Sequence, residues 1–252
     1  MAKSIECQFA WLGTMDYVPA RELQSTLVEK VHDGATPNIL LLLEHPHVYT
    51  RGRLSQPGHL LTGEDDLIAA GIPVYDTDRG GQITYHGPGQ LVGYPILNLR
   101  DWGGPLEYVR TLEQVIIATL ADFGIDAHTE SGLTGVWTDS GKIAAIGIKI
   151  SRGVAFHGFA INANTDLSYY DNIVPCGIED RPVTSMAKVL GAKVLGAKVL
   201  GAKVLGETVD IDAVRYSLVY QFGKAMGFRM VEAADVAHLV GGISGSSTSL
   251  TG

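Results

Sequence analysis

Gly141-Lys-Ile-Ala-Ala-Ile-Gly-Ile-Lys-Ile-Ser-Arg-Gly-Val-Ala-Phe-His-Gly-Phe-Ala-Ile-Asn-Ala163 holds two strand-like runs, 142–150 and 154–163, joined by the short Ser151-Arg-Gly153 turn. That arrangement predicts a β-hairpin. An antiparallel pair in mid-chain does not fit a regular doubly wound fold. Upstream, residues 5–12 and Ile39–Glu44 read as strands, and Gly71–Asp76 as a short one. Helical spacing of Leu23, Leu27, Val28 and Val31 marks a helix from Asp16 to His32, and Leu112, Val115, Ile116 and Leu120 mark another from Pro105 to Phe123. A last amphipathic helix begins at Asp210, a side chain suited to an N-cap. The class that follows is α/β (α+β), a mixed sheet with helices packed on it.

Between the early strands and the hairpin lies Arg79-Gly-Gly-Gln-Ile-Thr-Tyr-His-Gly-Pro-Gly-Gln-Leu-Val-Gly-Tyr-Pro95. Its glycines allow sharp turns and close backbone approach to a ligand, and the alternation at 82–85 suggests a strand entering the turn. Arg79 and His86 beside so much glycine point to one wall of a small-molecule site, although a tight hairpin would use glycine too. Neither a dinucleotide-binding pattern nor a Walker sequence is present.

The chain has 252 residues, 46% of them hydrophobic, enough for one domain with a full core. No apolar run approaches the ~20 residues of a membrane helix, and the first residues lack the build of a secretion signal. Two cysteines, Cys7 and Cys176, give no disulfide framework, so a cytoplasmic location is expected. A net charge of −8 argues against nucleic acid as partner. Residues 1–240 are expected to form the single domain, and the Gly/Ser/Thr-rich 241–252 a disordered tail. Residues 187–206 are four copies of Ala-Lys-Val-Leu-Gly. A period of five drifts about 140° around a helix per copy, so no single apolar face forms. The block is expected to be a duplication, a helix extension or surface excursion that adds nothing to the core.

Cys176 sits in Asn172-Ile-Val-Pro-Cys-Gly-Ile178, where Pro175 fixes one side of the turn and Gly177 frees the other. Most unpaired cysteines are small buried hydrophobes, and Cys7 is read so. Cys176 becomes a nucleophile only with a base or cation beside it. Lys142, at the lip of an apolar strand where an ammonium can pair with a thiolate, is one candidate; His86 and His157 are the others. Spacing alone leaves the choice open.

Arg79–Gly93, Gly141–Ile148, His157–Asn162 and Ile173–Ile178 together resemble the lipoyl(octanoyl) transferases, with Glu44-His-Pro-His-Val-Tyr-Thr50 and Val183-Thr-Ser185 similar to the family's flanking segments. The resemblance covers most of residues 10–230. It implies the catalytic-domain fold of biotin and lipoate protein ligases. The implied reaction moves an octanoyl (or lipoyl) group from acyl carrier protein to a lysine of lipoyl domains, including those of 2-oxo acid dehydrogenases and the glycine cleavage H protein. Cys176 would be the acyl-accepting nucleophile and Lys142 its partner. Arg79, Gly80, Gly81, Gln82, Ile83, Thr84, Tyr85 and His86, with Ala145, Ile146, Gly147, Gly158, Phe159 and Ala160, would line the acyl pocket. No metal or cofactor is implied. The family pattern holds about one pentad where this chain has four. Three rivals differ in their needs: an ATP-dependent lipoate or biotin ligase would activate its acid as an adenylate, an amidotransferase would take its acyl group from another lipoyl domain, and a non-catalytic carrier-binding module would form no acyl-cysteine. Carrier proteins and lipoyl domains are expected to be acidic, so Arg51, Arg53, Arg79, Lys149, Arg152 and Arg181 are expected to form a basic rim that outweighs the net charge.

Overall fold

Ile39 to Leu43 is apolar at every position because its strand is covered on both faces. Ile39, Leu41 and Leu43 enter one core and Leu40 and Leu42 another, as strand alternation requires. The structure is a computed structural model that describes residues 5–100, 104–174, 181–194 and 208–234. Its main sheet is seven-stranded and mixed, in the order β10-β1-β2-β6-β9-β8-β7. These strands are β1 (Ile5–Thr14), β2 (Asn38–Glu44), β6 (Gln90–Asn98), β7 (Val136–Thr138), β8 (Gly141–Ser151), β9 (Val154–Asn162) and β10 (Phe228–Glu232). β1 runs parallel to β2 and β10, and the remaining pairs are antiparallel. A smaller sheet, β4-β3-β5, joins β3 (Val48–Arg51), β4 (Val74–Asp76) and β5 (Thr84–His86).

Helix α1 (Tyr17–His32) covers one face of the main sheet through Ala20, Leu23, Leu27, Val28 and Val31. On the other face, α3 (Pro105–Asp122) and α5 (Ile211–Met226) pack together over Leu40, Leu42, Leu91 and Leu97. Asp210 does cap α5: its Oδ1 accepts the N–H of Asp212 at 2.9 Å, and Gly227 closes the helix at φ 71°. A short helix, α2 (Glu64–Ala69), accompanies the small sheet. The 141–163 hairpin forms as expected, with Arg152 and Gly153 both at positive φ (51° and 84°), the geometry that matches the twist of paired strands.

The pentad reading needs correction. Its first copy lies in helix α4 (Met186–Val194), and Val189 and Leu190 are buried in the main core. The reason is where the repeat begins. Ala187 donates its N–H to Ala163 O at 3.0 Å, which docks the first turn onto the sheet. One Val-Leu pair needs no long apolar stripe to face inward. Residues 195–206 and the tail at 241–252 lie outside the described residues. Among the described residues no helix is long and apolar enough to cross a membrane.

Candidate active site

Two cross-strand pairs of the hairpin, Ala145 opposite Ala160 and Gly147 opposite Gly158, leave a shallow strip of small residues on the sheet. The Arg79–Thr84 segment lies over that strip. Gly80 donates its N–H to Ile148 O at 2.9 Å, and a β-carbon at Gly147 would stand 2.8 Å from Gly80 O. Glycine at 147 is therefore what lets the segment rest directly on β8. The space left between them is a cavity of about 510 Å³, partly open to solvent. Ile83, Ala145, Ile146, Phe159 and Ala160 make its apolar wall, and Arg79, Gln82, Thr84 and His86 contribute polar groups.

Of the pocket residues expected from sequence, Arg79, Gly81, Gln82, Ile83, Thr84, His86, Ala145, Ile146, Gly147, Gly158, Phe159 and Ala160 surround this one cavity. Gly80 serves it from behind, through its bond to β8. Tyr85 does not line it. Because alternate residues of β5 face opposite ways, its ring packs against Tyr49 and Tyr169 under the small sheet, with its hydroxyl 2.7 Å from His47 Nδ1. Tyr17, Tyr94 and His157 also line the cavity. Of these only His157 stood out in the sequence, because nothing local marks which face of a helix or strand a tyrosine will present.

His86 is buried and held by Gln90, whose Oε1 accepts from Nδ1 at 2.7 Å. Gln90 Nε2 in turn donates to Tyr85 O and Asn162 Oδ1. Burial, then the nearby His45 ring, push His86 down to about 3. His45, bonded to Met15 O and Tyr94 Oη, is pushed down by burial to about 4. Both imidazoles are neutral near neutral pH, which suits them to shaping the wall rather than exchanging protons. His157 has φ 56°, a strained value for a residue with a side chain. Two contacts hold it there: its N–H donates to Gln24 Oε1 at 2.9 Å, and Nε2 meets Asp78 Oδ1 at 2.7 Å. Burial lowers its pKa against the opposing pull of Asp78. Burial works to raise that of Asp78, but the Lys149 and His157 hydrogen bonds leave it lowered.

Lys142 lies beside the cavity. It is 7% exposed, its Nζ donates to Thr134 O at 3.0 Å, and the ammonium sits 5.2 Å from the Trp137 ring centroid. A narrower cleft lined by Lys142, Asn162, Tyr170 and Val183 shares Thr84 and Ala145 with the main cavity. The backbone of Lys142 is bonded on both sides, donating to Pro182 O and accepting from Thr184 N, both at 2.9 Å. Cys176 and Gly177 lie outside the described residues, but the chain around them is anchored. Val174 donates its N–H to His59 O at 2.8 Å, two residues before Cys176, and Pro182, six residues after it, is bonded to Lys142. Cys7 is a buried free thiol in β1, pushed up to about 12 by burial, and has no catalytic surroundings.

The basic rim is not as expected. Arg79 is buried in the cavity wall, bonded to Thr50 O and Gly80 O. Arg51 pairs with Glu64 and Asp76, Lys149 with Asp78, Arg152 with Glu29, and Arg181 with Glu130. Residues far apart in sequence supply these acids, so the cations are largely neutralised in the fold.

Residues 16–222 match the lipoyl protein ligase A/B catalytic domain. The chain belongs to that family. An octanoyltransferase of Solibacter usitatus is 47% identical over 92% of this chain and 98% of its own length. In three dimensions, a Thermoplasma acidophilum protein described as a lipoate protein ligase with bound lipoic acid superposes with a TM-score of 0.68. Its identity is 17%, over 94% of each chain. A bipartite lipoate protein ligase from the same archaeon, solved with its E2 lipoyl domain, gives 0.66 at 19% identity, over 94% of this chain and 91% of that one. The two structural matches confirm the lipoate ligase fold, and the close relative places the chain among acyltransferases.

Proposed function

We propose that this protein transfers an octanoyl group from acyl carrier protein to a lysine of a lipoyl domain, through a thioester on Cys176. The observation that carries the reading is the buried Lys142 ammonium at the edge of an apolar cavity, tied by its own backbone to the segment that follows Cys176. The 47% identical octanoyltransferase supports the same chemistry, and the ligase solved with a lipoyl domain supports the class of acceptor.

A free thiol titrates near 8.5 and is mostly protonated at neutral pH; an adjacent ammonium stabilises its thiolate. The Cys176 thiolate attacks the donor's thioester carbonyl. A carbon–sulfur bond forms to Cys176, the donor's carbon–sulfur bond breaks, and Lys142 returns a proton to the leaving thiolate. The incoming lysine amine then attacks the new thioester, neutral Lys142 takes its proton, and an amide forms as Cys176 is released. Exchange between thioesters is nearly isoenergetic and formation of the amide runs downhill, so no nucleotide is required. The acyl tail occupies the cavity lined by Ile83, Ala145, Ile146 and Phe159, at about 0.8 kcal/mol per buried methylene.

The test is donor choice. Octanoyl-carrier protein without ATP should octanoylate a lipoyl domain, and free octanoate with ATP should not. Turnover from free octanoate and ATP alone would identify a ligase instead.

A further inference from the structure

Glu113 is completely buried within α3, an unfavourable place for a carboxylate unless both oxygens are used. They are. Oε2 accepts from Arg110 Nη1 at 2.6 Å, and Oε1 accepts the backbone N–H of Gly135 at 3.1 Å. Gly135 follows Thr134, whose carbonyl accepts from Lys142 Nζ. At φ 127°, with a β-carbon position only 2.6 Å from Lys142 Cε, Gly135 must remain a glycine for Lys142 to lie where it does. The loop under the ammonium is thus pinned from below by one buried side chain on a different element.

We infer that Glu113 is a positioning residue: through the Gly135 N–H it fixes the Thr134 carbonyl and so the place of the Lys142 ammonium. The inference rests on the reading of Lys142 as the proton partner of Cys176. Nothing about Glu113 requires it to touch substrate. Without the tether, the 134–135 loop is free to shift, and a displacement of about 1 Å at a proton-transfer group can cost roughly a hundredfold in rate.

The experiment compares Glu113→Ala and Glu113→Gln in the full-length protein, with Lys142→Ala and Cys176→Ser alongside. Glu113→Ala should lower kcat and the neutral-pH alkylation rate of Cys176 by about ten- to a hundredfold, with KM for the octanoyl donor changed less than about twofold. The midpoint of its alkylation-versus-pH curve should move up, toward that of an ordinary thiol. Glu113→Gln keeps an acceptor oxygen for Gly135 and should restore most of the loss. A purely structural role would lower thermal stability in both variants without moving that midpoint. A folded Glu113→Ala with normal kcat and alkylation overturns the inference. If Glu113→Ala does not fold, amide exchange at Gly135 in the unmodified protein decides: strong protection supports the tether, and exchange at the rate of an open loop overturns it. Normal transfer by Cys176→Ser and Lys142→Ala would instead sink the catalytic reading itself, whatever Glu113 does.

Discussion

Arg79 and Lys142 are both cations buried along one site, 8% and 7% exposed, and the chain satisfies both with backbone carbonyls. Arg79 spreads its guanidinium over Thr50 O at 2.6 Å, Thr50 Oγ1 at 2.9 Å and Gly80 O at 3.0 Å, tying the glycine segment to β3. Lys142 presents a single ammonium to Thr134 O and the face of Trp137. A guanidinium keeps its proton under all ordinary conditions, whereas an amine can give its proton up. The two positions therefore differ in task. Arg79 is a brace for the cavity wall, and Lys142 is placed to move a proton.

Exchanging the two residue types is the strongest way to break that comparison. Lys142→Arg keeps the charge but removes the proton transfer, and should lower kcat by about 10²–10⁴. Arg79→Lys keeps a cation but loses the planar fork, and should act mainly on KM, by about tenfold. Steady-state kinetics with octanoyl-carrier protein separate them. Equal losses in kcat would show that the two cations do one job.

The imidazoles near Arg79 sharpen the contrast, since they are kept uncharged. An unfolded chain protonates His45 near 6.5, but the folded one, where burial dominates, only near 4. Protons therefore favour the unfolded state between those values, and folding stability should fall as pH drops from about 6.5 to 4. The loss from His45 amounts to about 3 kcal/mol. Denaturant unfolding at a series of pH values measures it, and His45→Asn should show a shallower slope over that window. An unchanged slope would place the acid sensitivity elsewhere.

The smallest effect concerns the floor between the two cations. Ala145→Leu or Ala160→Leu fills the strip left by the Ala145–Ala160 pair. Either should shift the ratio of kcat/KM for octanoyl over hexanoyl donors by about tenfold toward the shorter chain, in line with the cost of overpacking. An unaltered ratio would move the acyl tail out of this cavity.

The sequence made part of this visible, and the reasons are physical. The 141–163 hairpin and helices α1, α3 and α5 follow from local periodicity, turn residues and one N-cap, all of which act over a few residues. The glycine segment was visible because close approach demands glycine wherever it occurs, as Gly147 under Gly80 shows. Tyr17, Tyr94 and Glu113 were not visible. Their roles depend on which side chains a helix or strand meets across the fold, and no local pattern encodes that. The basic rim failed for the same reason: Arg51, Lys149, Arg152 and Arg181 find their acids in three dimensions. The first pentad reached the core because its neighbours dock it, which composition within the repeat does not reveal.

Mass spectrometry of the protein after incubation with octanoyl-carrier protein, in the absence of any acceptor, tests the central claim most directly. The account predicts one octanoyl group on the peptide that contains Cys176, lost again when a lipoyl domain is added. Full transfer to that domain with Cys176 never acylated would contradict it.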